Sequence, residues 1–526
     1  MKVLSTAAMK EADRRTIEEL GMPGAVLMET AAMRTVEFIL SKMPHARRFA
    51  VLSGPGNNGG DGLAIARLLK NAGLSGSLWS TVKPGGYRGD AGMNENFLES
   101  AAYPINRLEG RESLDQFREE LDGVDFLVDA LLGIGVDRNV EGLFAELIEA
   151  INNKDLPVVS VDIPSGVNGN TGAVMGSAIK ANWTVTYAFP KRGLLCHEGV
   201  EKVGELYVGK INIPDVLVES EPVDLLDPDQ ILKILPAQDN LVHKGSLGRV
   251  LVVAGSPGMT GAAVMAAESA LMSGSGLVYL AVPQSLEPVA SARLVEVITL
   301  GLKETNPGLV SPDAAETILE MAVNCDSLAI GPGLDPGVNT TRLLEKVIDC
   351  SPVPLIIDAG ALEALKNNME LLKAARQPVV ITPHPGELSR LIGISAREVQ
   401  ANRLEIAIDY ARKWGVVLLL KGFNTIIAAP DGRAAINPTG GPALATAGSG
   451  DLLTGLIASF IAQGVEAENA ARTGAFMHGL AGDLVPGGRG HMAREVMRYY
   501  KQAFKLLAEA DNARFINPYL ARVRVY

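Results

Sequence analysis

Short apolar runs that stop at a glycine-bearing loop recur along the chain, and this pattern confines it to one class of architecture. Arg48 to Ser53 runs into Gly54-Pro55-Gly56-Asn57-Asn58-Gly59-Gly60-Asp61-Gly62, and Arg249 to Ala254 runs into Gly255-Ser256-Pro257-Gly258. Ser327 to Ile330, Pro354 to Ile357, Pro378 to Thr382 and Val416 to Leu420 end similarly, before Gly331, Gly360, Gly386 and Gly422. Runs with no polar face are strands buried on both sides, as in parallel sheets covered by helices. The fold class is therefore α/β, and the loops gather at the carboxyl edge, where open sheets bind ligands. At 526 residues the chain exceeds one ordinary core, so roughly two to four domains are expected.

Composition narrows the partners. Apolar residues at 47%, charged residues at 21% and aromatics at 5% give a globular balance. A net charge of -12 opposes nucleic acid and anionic membrane surfaces, so neither is expected as a partner. Cys196, Cys325 and Cys350 lack the spacing of a disulfide framework or a zinc site. Met1 to Leu20 reads as a mixed-charge amphipathic helix rather than a signal peptide, and no apolar run approaches the ~20 residues that cross a bilayer. A soluble cytoplasmic protein is expected.

In the first half, strand, glycine loop and helix follow one another as in a Rossmann-like phosphate site, and Gly54, Gly56 and Gly59 satisfy GxGxxG. Asn57, Asn58 and Asp61 stand where a dehydrogenase carries small apolar residues, and Gly76 to Val82 ends without a ribose-binding acid. A redox enzyme is disfavoured. Oxygen-bearing side chains in a loop suit a hard cation or a polar ligand, although Asn-Gly pairs are also good turns. Val124 to Ala130 ends at Asp129 and leads to Leu132-Gly133-Ile134-Gly135-Val136-Asp137-Arg138-Asn139. Pro157 to Pro164 carries Asp162 before Ser165-Gly166-Val167, and Trp183 to Pro190 precedes Lys191 and Arg192. Asp61, Asp129 and Asp162 would face one crevice, unless each is a cap or turn residue.

GPGNNGGDG, VDALLGIG and VDIPSG resemble the N-terminal YjeF-type epimerase domain of the NAD(P)H-hydrate repair proteins. The resemblance implies an epimerase domain over 1–215, acting at C6 of NADH or NADPH hydrated across the nicotinamide 5,6 double bond. It implies potassium ligands at Asn58, Asp129 and Ser165, and a substrate site lined by Asn57, Asn58, Gly59, Gly60 and Asp61. Gly133, Ile134, Gly135, Val136, Asp137, Arg138, Asn139 and Asp162 would complete that lining. Asp162 is the acid/base candidate there and Lys191 a second catalytic candidate.

Pro214 to Asn240 holds four prolines and no long periodic run, so a linker is placed at 216–239. A second α/β module follows, in which Pro383-His384-Pro385 constrains His384 and Lys421 ends an apolar strand. His384 reads as a ligand contact or a structural histidine, and Lys421 as a phosphate contact or a solvated strand end. Thr425 to Ala429 and Ala434 to Asn437 read as a hairpin around Asp431-Gly432. Gly448-Ser449-Gly450-Asp451 then opens a periodic helix, as an anion cradle or as an Asp N-cap after a glycine turn.

TPHPGE at Thr382, KG at Lys421, NPTG at Asn437 and AGSGD at Ala447 resemble, in that order, the NAD(P)H-hydrate dehydratase branch of the ribokinase-like superfamily. The resemblance implies a ribokinase-like α/β domain over 240–505, with a tail of unknown role at 506–526. It implies an ADP-dependent dehydratase of the S hydrate, with magnesium bridging the nucleotide phosphates. Lys421, Gly422, Phe423, Asn424, Thr425 and Gly450 would contact the nucleotide. Ala262, Gly333, His384 and Asp451 would contact the hydrate, Asp451 as catalytic base. A bifunctional repair enzyme and a homo-oligomer are expected. The alternatives are a vitamin or sugar kinase of the same superfamily fused to a dinucleotide-binding domain, and a sensor without turnover.

Overall fold

The computed structural model describes residues 1–236, 244–487, 490–510 and 523–525. The chain divides into two compact units, one built from Met1–Glu221 together with Val523–Val525, the other beginning at Pro222. Among the described residues no helix is long and apolar enough to cross a membrane.

The first unit is organised on a wholly parallel sheet. Its strands lie in the order Val523–Val525, Glu205–Gly209, Trp183–Tyr187, Val158–Val161, Phe126–Ala130, Arg48–Ser53, Ser75–Ser80, Asn106–Arg107. Arg48–Ser53 is buried from its second residue onward, because helices cover both faces. Phe49, Val51 and Val128 pack on one side with the helices Gly24–Lys42 and Gly56–Asn71; Ala50, Leu52 and Leu127 pack on the other with Phe117 and Ile148. This is the expected three-layer Rossmann-like arrangement. Strand order reverses between Arg48–Ser53 and Phe126–Ala130, so the loops after these two strands part and leave a crevice.

The second sheet runs Ile298–Leu302, Leu277–Pro283, Arg249–Val253, Ser327–Ile330, Leu355–Ile357, Val379–Ile381, Val417–Leu420, Thr425–Ala428, Ala434–Asn437, Val223–Leu225. Its pairs are parallel as far as Val417–Leu420, and the expected hairpin then adds two antiparallel strands. The long helices Thr260–Met272, Ser449–Ala462 and Ala467–Leu484 bury small and branched residues against one face. The expected ribokinase-like α/β fold is the fold of this unit.

Two segment expectations need correction. Most of the supposed linker belongs to the second unit: Val223–Leu225 pairs parallel with Ala434–Asn437, and Pro228–Ile234 is a helix capped by Asp227. The hairpin would otherwise present an open edge, which this strand covers. The supposed tail begins inside the helix Tyr500–Ala510 and returns to the first unit, where Val523–Val525 covers the edge strand Glu205–Gly209. Residues 237–239 of the linker, 240–243 at the start of the second module, and 511–522 and 526 of the tail lie outside the described residues.

Candidate active sites

The crevice of the first unit opens into a cavity of about 800 Å³. Asn57, Asn58, Asp61, Asp162, Lys191 and the whole stretch from Gly133 to Asn139 line it. Gly59 and Gly60 do not. The helix already starts at Gly56, which puts both glycines in its packed side. A Cβ at Gly59 would stand 1.7 Å from the Gly54 carbonyl oxygen, and one at Gly60 would stand 2.7 Å from Ala91 Cβ.

Charge inside the cavity is divided. Lys191 Nζ forms an ion pair with Asp162 Oδ1, and also donates to Thr186 Oγ1 at 3.0 Å and to the Tyr187 carbonyl at 3.1 Å. Lys191 is 1% exposed, so these three acceptors replace its hydration. Asp162 holds a left-handed backbone at φ +64°, uncommon for a residue with a side chain, and accepts from Tyr187 N at 3.1 Å. Nearby, burial drives the Asp61 carboxyl well above its usual pKa; the negative charges of Asp162 and Asp13 add to this, while Lys191 opposes it. Asp61 is thus biased towards its protonated form beside an ion pair, the kind of arrangement that separates acid from base roles.

Beneath the cavity wall, Asp129 is fully buried and saturated. It accepts from Ser165 Oγ at 2.5 Å, Ser165 N at 2.9 Å, Ser160 Oγ at 2.8 Å and Leu131 N at 3.2 Å. Burial raises its pKa, and the hydrogen bonds work against that rise. Asn58 Nδ2 donates to the Leu132 carbonyl at 3.1 Å, and Leu132 N donates to Ser165 Oγ at 2.8 Å. Asn58 Oδ1 is buried with no hydrogen-bond partner among the described residues. One loop thus joins Asn58, Asp129 and Ser165.

In the second unit Gly333, His384 and Lys421 follow the carboxyl ends of Ser327–Ile330, Val379–Ile381 and Val417–Leu420, while Ala262, Gly450 and Asp451 lie in the first turns of helices. Gly333 and Ala262 are neighbours: a Cβ on Gly333 would stand 3.1 Å from Ala262 Cβ. His384 caps the helix Pro385–Ile392, its Nδ1 accepting from Gly386 N at 3.0 Å and Glu387 N at 3.2 Å. That fixes the proton on Nε2, at the half-exposed edge of the ring. Lys421 is not a solvated strand end. Its Nζ lies 3.0 Å from Asp358 Oδ1 and 3.8 Å from Glu387 Oε2, and Thr454 Oγ1 holds the other oxygen of Asp358 at 2.8 Å. The loop after it is braced by Arg403, which donates to the Leu420 and Lys421 carbonyls at 3.2 and 3.3 Å. In that loop Phe423 is exposed, Asn424 is buried at φ +52°, and Thr425 Oγ1 donates to the Gly422 carbonyl.

Gly448, at φ +91°, is the N-cap of Ser449–Ala462, and Asp451 stands in the first turn rather than at the cap. A Cβ on Gly450 would be 3.2 Å from Lys421 Nζ, which sets this turn against the ion pair. Burial, then the charge of Asp358, raise the Asp451 pKa to about 7, with Lys421 pulling the other way. A helix N-terminus with a titrating carboxyl beside a lysine suits an anion that exchanges a proton.

Over 94% of its length the chain is 42% identical to the bifunctional NAD(P)H-hydrate repair enzyme Nnr of Moorella thermoacetica, covering 94% of that protein as well. The chain belongs to the bifunctional NAD(P)H-hydrate repair enzymes. It is 39% identical to the protein of that name from Thermofilum pendens, with 97% of each chain covered. The family model described as YjeF-related protein N-terminus matches residues 24–193, and that described as NAD(P)H-hydrate dehydratase matches residues 250–501. Among solved structures, the ADP/ATP-dependent NAD(P)H-hydrate dehydratase of Bacillus subtilis, co-crystallised with ATP/Mg2+, is 29% identical. The match covers 55% of this chain and all of that one, with a TM-score of 0.47.

This repair-family chain also places residues in its sites that the motifs do not mark. Lys10 and Asp13 of the opening helix and Tyr187 line the first cavity; Asp358, Thr454 and Arg403 build the second site. Only Asp358 carried a signal, as a strand-end acid before a glycine.

Proposed function

We propose that the first unit interconverts the R and S epimers of hydrated NADH and NADPH, and that the second dehydrates the S epimer with ADP, releasing AMP and phosphate. The observation that carries the second assignment is Asp451, a carboxyl with a pKa of about 7 in a helical first turn beside Lys421 and Asp358. Hydroxide is a poor leaving group from C6. Asp451 as carboxylate takes the hydroxyl proton while that oxygen attacks the terminal phosphorus of ADP and AMP departs. Backbone N–H groups of the Ala447–Asp451 turn hold the transferring oxygens. The ring nitrogen then expels phosphate from C6, and loss of the C5 proton restores the double bond.

Lys421, Gly422, Phe423, Asn424, Thr425 and Gly450 are assigned to the nucleotide, and Ala262, Gly333 and His384 to the hydrate. Magnesium belongs on the nucleotide phosphates. Among the described residues no three His, Cys, Asp or Glu side chains are grouped to hold a metal ion, so magnesium would be carried by the nucleotide and would offset the charge of its phosphates. Incubating the S hydrate with ADP should yield AMP, phosphate and reduced dinucleotide in equal amounts. A stable phosphorylated product from a thiamine-precursor, pyridoxal or sugar panel would instead establish the kinase alternative.

In the first unit the ring nitrogen assists loss of the C6 hydroxyl as water, with Asp61 as proton donor, and water returns to the opposite face. Asp162, held as the partner of Lys191, stabilises the cationic ring and accepts the proton of the returning water. Asn58 Oδ1 and Ser165 Oγ fit potassium, since a buried amide oxygen without a donor is what a hard cation needs, and the Asp129 carboxylate would join them by giving up one of its four hydrogen bonds. The ion would supply fixed positive charge under the Leu131–Asn139 loop. Asn58→Ala is expected to slow epimerisation by about 10–100-fold and to abolish its dependence on added potassium, without changing dehydration of pure S hydrate. A parent rate that ignores potassium altogether would remove the ion.

A homo-oligomer and a cytoplasmic setting complete the proposal. Val26, Met33 and Leu40 are exposed seven residues apart on one helix, which supports self-association. Sedimentation velocity at micromolar concentration should show more than one chain per particle; a monomer would reject it. The three free cysteines suit a reducing compartment.

A further inference from the structure

A buried polar chain that none of the steps above uses ties down the first turn of Ser449–Ala462. Ser449 Oγ lies 2.9 Å from His478 Nε2, His478 Nδ1 lies 3.2 Å from Tyr500 Oη, and Tyr500 Oη lies 3.4 Å from Ser269 Oγ. Ser269 Oγ donates to the Leu452 carbonyl at 2.6 Å, so the chain begins and ends on the same helical turn. His478, Tyr500 and Ser269 are all buried.

One proton arrangement satisfies all four contacts. A carbonyl only accepts, so the Ser269 hydrogen is committed to Leu452 and its oxygen must accept from Tyr500. Tyr500 then accepts Nδ1–H of His478, which leaves Nε2 to accept from Ser449. Burial, with the charge of Lys421 second, lowers the His478 pKa to about 4, so the ring is neutral throughout the working range. The turn itself has little internal restraint. Gly448 and Gly450 flank Ser449, and Gly448 sits at φ +91°.

We propose that His478 is a positioning residue for the dehydratase: through Ser449 it fixes the Gly448–Asp451 turn, so that the backbone donors and the Asp451 carboxyl stay aimed at the transferring phosphoryl group. This rests on the phosphoryl-transfer role given to that turn. Its geometric demand is severe, because misplacing a reacting group by about 1 Å costs about 10²-fold in rate.

The test uses the full-length chain with S hydrate and ADP. His478→Asn keeps a donor for Tyr500 but is too short for Ser449, whereas His478→Gln can place an acceptor where Nε2 stands. His478→Asn should lower kcat of dehydration by about 10–100-fold while KM for ADP and for the hydrate stays within about twofold. Ser449→Ala should show the same loss, the double variant should lose no more than either single one, and His478→Gln should recover to within about threefold of the parent. An unchanged kcat in His478→Asn, or fully additive losses in the double variant, would overturn the role. So would a general rise in both KM values with a lowered unfolding midpoint, since that marks a fold contribution only. A parent enzyme without ADP-dependent dehydration would defeat the functional assignment itself, and is seen before any variant is compared.

Discussion

Asp451→Asn is expected to lower ADP-dependent dehydration by roughly 10²–10⁴-fold, while the same preparation epimerises at the parent rate. Asparagine has the shape of the carboxyl and keeps the first turn intact, but it cannot take a proton. In the parent the pKa of about 7 makes the proton acceptor half available at neutral pH. Dehydration should therefore rise about tenfold per unit below pH 7 and level off above it. Stability moves the other way. The folded chain holds this proton up to about pH 7, whereas the unfolded chain releases it near pH 4, so between those limits the folded state binds more protons and loses stability as pH rises. The asparagine variant escapes that loss and should melt no lower than the parent at pH 8. An inactive variant that also melts lower, or one that retains dehydration within a few-fold, would contradict the assignment.

Asp162→Asn should cut epimerisation by roughly 10²-fold or more, leaving dehydration of pure S hydrate unchanged. Asparagine tolerates φ +64° better than most residues and still accepts from Tyr187 N, so the backbone is not the cause. The change does strand a buried cation. With Lys191 1% exposed, loss of its partner should destabilise the first unit by about 3–5 kcal/mol. Adding Lys191→Met removes that charge and should restore the melting temperature without restoring epimerisation. Epimerisation that returns with stability would mean that the pair only holds the fold. The proton transfers would then fall to Asp61 alone.

Much of this was legible because the strands are unambiguous. Ser327–Ile330 and Arg48–Ser53 are read without error, since an apolar run bounded by glycine has few alternatives at that length. Val223–Leu225 is not legible in the sequence, because three residues among prolines and acids carry no period, and its reason to be a strand is the open edge of a hairpin more than two hundred residues away. The site divided in the same way. Glycine loops and strand-end acids announce themselves, and Asp61, Asp162, Lys421 and Asp451 stand where such loops converge. Lys10 and Asp13 sit on a helix whose charges look like a solvated face, and only the tertiary fold turns them into the cavity. Thr454 and His478 are buried within helices and match no motif, so each reads as incidental until its partner appears. Gly59 and Gly60 show the converse: they belong to the motif, yet they serve close packing, not the cavity wall.

Two activities in one chain have a direct test. The purified protein is incubated with an equilibrium mixture of R and S hydrates, ADP, magnesium and potassium, and absorbance at the dihydronicotinamide band is followed to completion. The expected result is full recovery of the reduced dinucleotide, because epimerisation keeps supplying the S form. Recovery that stops at the S fraction would contradict the epimerase assignment, and no recovery with ADP would contradict the dehydratase.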